Sequence, residues 1–239
     1  MTIAAGFICS DGVVTAADTQ ESITGFMKGN TQKILTVTTP DWQCSITGAG
    51  YSDYVEMAKQ KLFFSPSENG DHPASHNDSG ILDYIEKRAI EIFKTNFAPL
   101  AVYPEQERPV AELLISAQLV NGRGTIIRWN GAATTRHQDR AFAGNGALLA
   151  ANLADKLLSV ERKLSMREMS GLAIFMLKEV KASIDGCGGN TDVLLIGGNG
   201  EYGHLATAEV RRAEEQYEEL EKRSTSILTS GNCVPSSYR

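Results

Sequence analysis

The chain has 239 residues, 42% of them hydrophobic and 22% charged, with a formal net charge of −6 and a pI near 5.3. That is a globular composition with enough chain for one large core; its acidic balance argues against nucleic acid or an anionic membrane surface as partner, and no apolar run is long enough to span a bilayer. Cys9, Cys44, Cys187 and Cys233 lie far apart with no CxxC, and His72, His76, His137 and His204 are scattered, so neither a disulfide framework nor a metal-ligand motif is expected.

Residues 2–9 start a strand, Asp11-Gly12 is a hairpin-turn pair, and Val13-Val14-Thr15-Ala16-Ala17 returns as a second apolar strand ending at Asp18. Neither run alternates, which reads as burial on two faces. No basic region precedes the first run, so no signal peptide is expected and the chain is placed in the cytoplasm. Ile34–Val37 and Gln43–Ile46 form two further strands around Pro40-Asp41. After Gly48-Ala49-Gly50, Ser52 and Asp53 offer a cap and a first-turn acid to a helix striped with Val55, Ala58 and Leu62.

Residues 64–80, FSPSENGDHPASHNDSG, are a polar, turn-rich insertion expected as a surface loop. A second helix carries Ile81, Leu82, Ile85, Ala89, Ile92 and Phe93 on one face. Strands follow at 112–120 and 124–130, joined at Asn121-Gly122, and a short one ends near Phe142. AGNGALLAANLADKLL begins a third helix after a glycine turn, and Ser165 and Glu168 have capping-box spacing at the head of a fourth. Val193–Ile196 and Tyr202–Leu205 flank GGNGE as a hairpin, 208–223 is a charged helix read as a solvated outer face, and a polar tail starts at Ser224. Strands in hairpins rather than alternating with helices predict largely antiparallel sheets. One domain over residues 1–223 is expected, with the 64–80 insertion within it and 224–239 as a flexible tail. There is no GxGxxG after a strand, and no cofactor is expected.

The opening hairpin has chemical meaning. If the initiator methionine is removed, Thr2 carries both a hydroxyl and a free α-amine, whose ordinary pKa of about 8 suits it as a general base. A threonine activated by its own amine is a known kind of nucleophile. The hairpin returns Asp18 to the neighbourhood of residue 2. A lysine would complete the device by lowering the amine's pKa while held by the carboxylate; Lys33 is the candidate and Lys28 its rival.

DGVVTAADTQ, FMKGNTQKI at 26–34, TGAGYSDY at 47–54, AGNGALLAANLADKLL and DGCGGNTDVLLIG at 185–197 together resemble, in order, the segments of the proteasome β-subunit family within the N-terminal-nucleophile hydrolases. Thr2 and Asp18 stand sixteen positions apart, as in that family, and the 26–34 segment is especially similar to the bacterial proteasome-like peptidase that works with an ATP-driven unfoldase. The resemblance implies an α+β fold, a four-layer αββα sandwich of two antiparallel sheets with helices outside. It implies Thr2 as nucleophile, Lys33 as electrostatic partner held by Asp18, an oxyanion-binding backbone N–H near Ala49, and Asp185 as support from the late turn. Asn145 stands where the family has a serine in its glycine turn, and Cys187 or Gly188 where it has a second; these are supporting positions, and Cys187 reads as a small buried residue rather than a nucleophile. The implied function is peptide-bond hydrolysis on peptide or unfolded protein, in a homo-oligomeric ring, with an ATP-dependent unfoldase as partner. A catalytically silent subunit and a non-peptide amidohydrolase are the alternatives. Substrate preference is left to pocket residues near Thr47.

Overall fold

The computed structural model describes residues 2–23, 27–65, 80–104, 108–120, 122–158 and 162–229. Six strands come first: β1 (Ala4–Ile8), β2 (Gly12–Asp18), β3 (Gln20–Ile23), β4 (Met27–Asn30), β5 (Leu35–Thr38) and β6 (Trp42–Gly50). Helices α1 (Ser52–Phe63) and α2 (Ile81–Ile92) follow, then β7 (Ala111–Leu119), β8 (Gly124–Asn130), β9 (Ala133–His137) and β10 (Arg140–Ala143). The chain continues through α3 (Ala147–Leu157), α4 (Met166–Ser183), β11 (Thr191–Gly197), β12 (Tyr202–His204) and α5 (Thr207–Thr229).

β1 and β2 are buried at every position because they lie inside a sheet covered on both faces. That sheet has the order β10-β1-β2-β11-β12; the second has the order β5-β6-β7-β8-β9, and β3-β4 form a small separate ribbon. All strand pairs are antiparallel. Phe7, Val14 and Ala16 of the first sheet pack on Ala150 and Ala154 of α3 and Ala173, Ile174 and Leu177 of α4. Trp42, Ile46, Leu113 and Trp129 of the second pack on Val55 and Leu62 of α1 and Ile85 and Ala89 of α2. Between the sheets lies a third layer of small and branched residues, Ala4, Ala17, Ile34, Leu114, Ala143 and Ile196 among them. The result is the expected four-layer αββα sandwich.

Three hydroxyls interrupt that apolar middle layer. Thr15 of β2 donates to Ser116 of β7 at 2.9 Å and shares a 2.6 Å bond with Ser45 of β6, and none of the three is more than 1% exposed. The sheets approach closely here: a Cβ on Gly6 would lie 2.8 Å from Ser116 Oγ.

The helix ends follow their local chemistry in one case and not in another. Ser165 and Glu168 form the capping box read from their spacing. α1, by contrast, has Tyr51 as N-cap with no side-chain cap; Ser52 is already helical, and Asp53 supplies the first-turn acid. α5 extends to Thr229, past the expected end at 223, and docks on α4 where Glu214, Tyr217 and Glu221 meet Lys181, Phe175 and Lys178. Residues 66–79 of the insertion and 230–239 of the tail fall outside the described residues. Among the described residues no helix is long and apolar enough to cross a membrane.

Candidate active site

The β1–β2 register, Ala4 opposite Ala17, brings the start of the chain back beside the end of β2. It continues past the strand ends, where Asp18 N–H donates to Ile3 C=O at 3.1 Å and Ile3 N–H to Asp18 Oδ1 at 3.2 Å. Asp18 is fully buried, and β11 covers its other side, with Thr191 as its cross-strand partner. Beyond Thr191, the N–H of Gly188 donates to Asp18 Oδ2 at 3.0 Å. A buried carboxylate requires hydrogen bonds and a counter-charge. Lys33 Nζ supplies both: it lies 2.8 Å from Asp18 Oδ1 and donates at 2.7 Å to Thr2 Oγ1. Thr2 is 6% exposed. Lys28, on β4, is exposed.

The position of Lys33 is fixed from a second direction. Lys59 of α1 is 3% exposed; its ammonium donates to the Lys33 carbonyl at 3.1 Å and pairs with Glu56 at 2.6 Å. Lys59 lies at i+4 from Val55 and i−3 from Leu62, on the apolar stripe itself, and a lysine in that place is a signal the sequence reading missed.

On the other side of Thr2 the groups are backbone. Gly144 has φ +88°, and a Cβ there would lie 2.2 Å from the Thr2 carbonyl oxygen and 2.9 Å from Ala49 Cβ. The N–H of Gly146 approaches the same carbonyl at 3.5 Å. Asn145, between these glycines, is exposed. Gly144 N–H donates to Glu112 Oε2 at 2.8 Å.

The remaining expected residues fall in three places. Ala49 borders the site through its side chain. Its amide faces away, since Tyr51 N–H donates to Val110 C=O and Val120 N–H to Asp41 C=O at the two ends of an unbroken β6–β7 register. That parity turns the Ala49 N–H toward Glu112 of β7 and leaves the amides of Gly48 and Gly50 on the other side of the strand. Asp185 is exposed, and none of its hydrogen bonds or ion pairs connects it to a described residue. Cys187 is buried against the α3–α4 side of the first sheet, and its thiol is pushed up to about 11, first by burial and then by the Asp18 charge, with Lys33 opposing. It is a packed thiol, not a thiolate, at neutral pH. Thr47, the pocket guess, is fully buried. No cluster of His, Cys, Asp or Glu among the described residues could hold a metal ion. A shallow open hollow of about 300 Å³ on α5, lined by Thr207, Arg211, Arg212 and Glu215, contains no residue of the Thr2 cluster.

No family profile matches this chain, and no curated protein matches it in sequence. Solved structures do. Anbu (ancestral beta-subunit) from Yersinia bercovieri aligns over 98% of this chain and 98% of its own, with a TM-score of 0.73 and 11% identity. Anbu from Hyphomicrobium sp. strain MC1 aligns over 94% and 97%, with TM-score 0.71 and 11% identity. The structure of the helical assembly of the Anbu complex from Pseudomonas aeruginosa aligns over 99% and 100%, with TM-score 0.71 and 12% identity. At these identities the likeness is one of fold. It corrects the resemblance drawn from sequence: these three structures are of Anbu proteins, and no sequence family supports membership of the proteasome β-subunit family or of the bacterial proteasome-like peptidase that segment 26–34 suggested. The reason is physical. Of the quoted motifs, most of the glycines and Asp18 answer to turns and burial common to the sandwich, as the 2.2 Å approach at Gly144 illustrates, so they report the fold more than the family.

Proposed function

We propose that the chain is a threonine amidohydrolase acting on peptide bonds, with Thr2 as nucleophile once Met1 is removed. One observation carries this reading: a single partly buried ammonium, Lys33, touches both the Thr2 hydroxyl at 2.7 Å and the buried Asp18 at 2.8 Å. Between a surface threonine and a solvated lysine such an arrangement would have no purpose; here it fixes the hydroxyl and concentrates positive charge beside it.

In the proposed reaction the Thr2 hydroxyl attacks the scissile carbonyl and its proton passes to the Thr2 α-amine. The Lys33 charge favours the neutral, basic amine. The tetrahedral intermediate collapses to an ester on Thr2 and expels the amine product, and water then hydrolyses the ester. The oxyanion donor in this reading is an amide that β7 does not use, at Gly48 or Gly50. Asp185 has no role in it.

Assembly of identical copies belongs to the proposal. Leu148, on α3, is 76% exposed and gives the outer layer an apolar contact point. A peptide or unfolded protein is the proposed substrate and an ATP-driven unfoldase the proposed supplier.

Intact mass after exposure to a threonine-directed electrophile tests the chemistry. The expected result is loss of the Met1 mass and one covalent adduct, mapped to Thr2 and absent in Thr2→Ala. Retention of Met1 with no adduct would instead favour a catalytically silent subunit.

A further inference from the structure

Glu112 is a carboxylate in a place where packing alone would favour a hydrocarbon. It is 9% exposed at the start of the mostly buried β7, directly across from Ala49. Its two oxygens have separate partners. Oε1 accepts from the Arg128 guanidinium on β8, and Oε2 accepts the Gly144 N–H at 2.8 Å. Gly144, in turn, abuts the Thr2 carbonyl and the Ala49 side chain. A leucine would fill this site without the desolvation penalty of a carboxylate. What a leucine would not do is hold the Gly144 amide with a charge-assisted bond.

That bond matters because it ties the turn to the second sheet. Gly146 is the N-cap of α3 and contributes no side-chain cap, and Gly144 holds a left-handed φ. Ala147 N–H to Gly144 C=O at 3.0 Å and Ala150 N–H to Gly146 C=O at 3.0 Å tie the turn to its own helix, not to the second sheet. Glu112 makes that second connection, from β7 across to the turn that presses on Thr2.

We infer that Glu112 is a positioning residue for Thr2, setting the Gly144–Gly146 turn against the nucleophile with Arg128 orienting its carboxylate. The inference rests on the threonine reading of the site. In this role Glu112 acts through Gly144 and touches no reacting atom.

The test compares Glu112→Gln, Glu112→Ala and Glu112→Leu with the wild-type full chain by two readouts. The first is the rate of adduct formation at Thr2 with a threonine-directed electrophile; the second is amide hydrogen exchange over residues 143–147. Arg128 is 37% exposed and can rehydrate when its partner is lost, so the variants are expected to remain folded. Glu112→Ala and Glu112→Leu should slow the adduct by about tenfold to a hundredfold, as expected for a displaced nucleophile. Exchange over 143–147 should rise about tenfold or more, as expected for a lost charge-assisted bond, with β11 unchanged. Glu112→Gln, whose amide oxygen can still accept from Gly144, should restore most of both. The inference is overturned if the alanine and leucine variants match wild type in exchange over 143–147, or if glutamine is as poor as alanine. It is equally overturned if the turn loosens while the adduct rate stays at the wild-type value. A wild-type chain that forms no adduct overturns the threonine reading instead, while the exchange comparison still decides whether Glu112 holds the turn. Arg136→Ala, remote on β9 and paired with Asp83 and Glu86, is the control and should move neither readout.

Discussion

The two flanks of Thr2 are built from different materials. On one, side chains do everything: Asp18 and Lys33, with Lys59 behind them, form a chain of charged bonds at 2.8 and 3.1 Å. On the other, the surface is backbone: Gly144, Gly146 and, at Asp18, Gly188, where the useful property is an N–H or the absence of a Cβ. The contrast teaches that charge is placed by residue identity and shape by turns. The two flanks should therefore fail in different ways when altered.

The largest effect is expected at Lys33. Lys33→Met should slow adduct formation at Thr2 by on the order of 10²–10⁴, the range of general-base catalysis, because the amine that takes the Thr2 proton loses the charge that keeps it neutral. It should also destabilise the fold by about 3–5 kcal/mol, because Asp18 is left buried without its counter-charge. The double variant Asp18→Asn with Lys33→Met should recover much of the melting temperature and none of the adduct; recovery of both would mean that the charged flank is structural only. Next is the backbone flank. Gly144→Ala, at φ +88° with Thr2 O 2.2 Å from the new Cβ, should cost about 1–3 kcal/mol and slow the adduct. Gly188→Ala should cost less, since its first obstacle is the flexible end of Gln20 at 2.3 Å. Thermal melts that reverse this order would break the comparison.

Lys59→Met separates positioning from stability. It keeps the apolar stem and releases Glu56, which is 59% exposed, so stability should change by no more than about 1 kcal/mol. The adduct rate should fall several-fold, as expected when the Lys33 carbonyl loses its 3.1 Å bond. The smallest effect is expected at Cys187. Its thiol is raised from 9.0 to about 11, so the neutral form is held in the fold, and its contribution is complete below pH 9.0 and lost as pH rises toward about 11. At neutral pH an alkylating reagent should leave native Cys187 unmodified, and Cys187→Ser should form the Thr2 adduct at the wild-type rate. Alkylation of Cys187 at neutral pH would put a reactive group on the flank described here as backbone.

The sandwich was legible because its strands announce themselves by composition, and β1 and β2 by burial without alternation. The hairpin carrying Asp18 needed only Asp11-Gly12 and two apolar runs. The β3–β4 ribbon was not legible: QESI and MKGN are mostly polar and show no apolar alternation. β9, ATTRH, is half-exposed and reads as loop for the same reason. Within the candidate site, Thr2, Asp18 and Lys33 could be singled out because the proposed chemistry requires those residue types, and the fold brings the three together. Glu112 could not, since its partner is a backbone N–H thirty-two residues away and only the register of two strands brings it there. The amide of Ala49 was misjudged on a similar ground: the direction of an N–H is a matter of ladder parity, which no residue type encodes.

The hydroxyls of Thr15, Ser45 and Ser116 have a consequence for the site. Apolar layers are indifferent to sideways displacement, because one methyl contact replaces another. A hydrogen bond is directional, and a slip of one residue, about 3.3 Å, would break both bonds of this trio. Thr2 and Asp18 belong to the first sheet; Ala49 and Glu112 belong to the second, and Lys33 leads into it. The trio therefore works as a locating dowel between two plates, and the alignment it enforces deep in the molecule is the alignment of nucleophile, cation and turn at the rim.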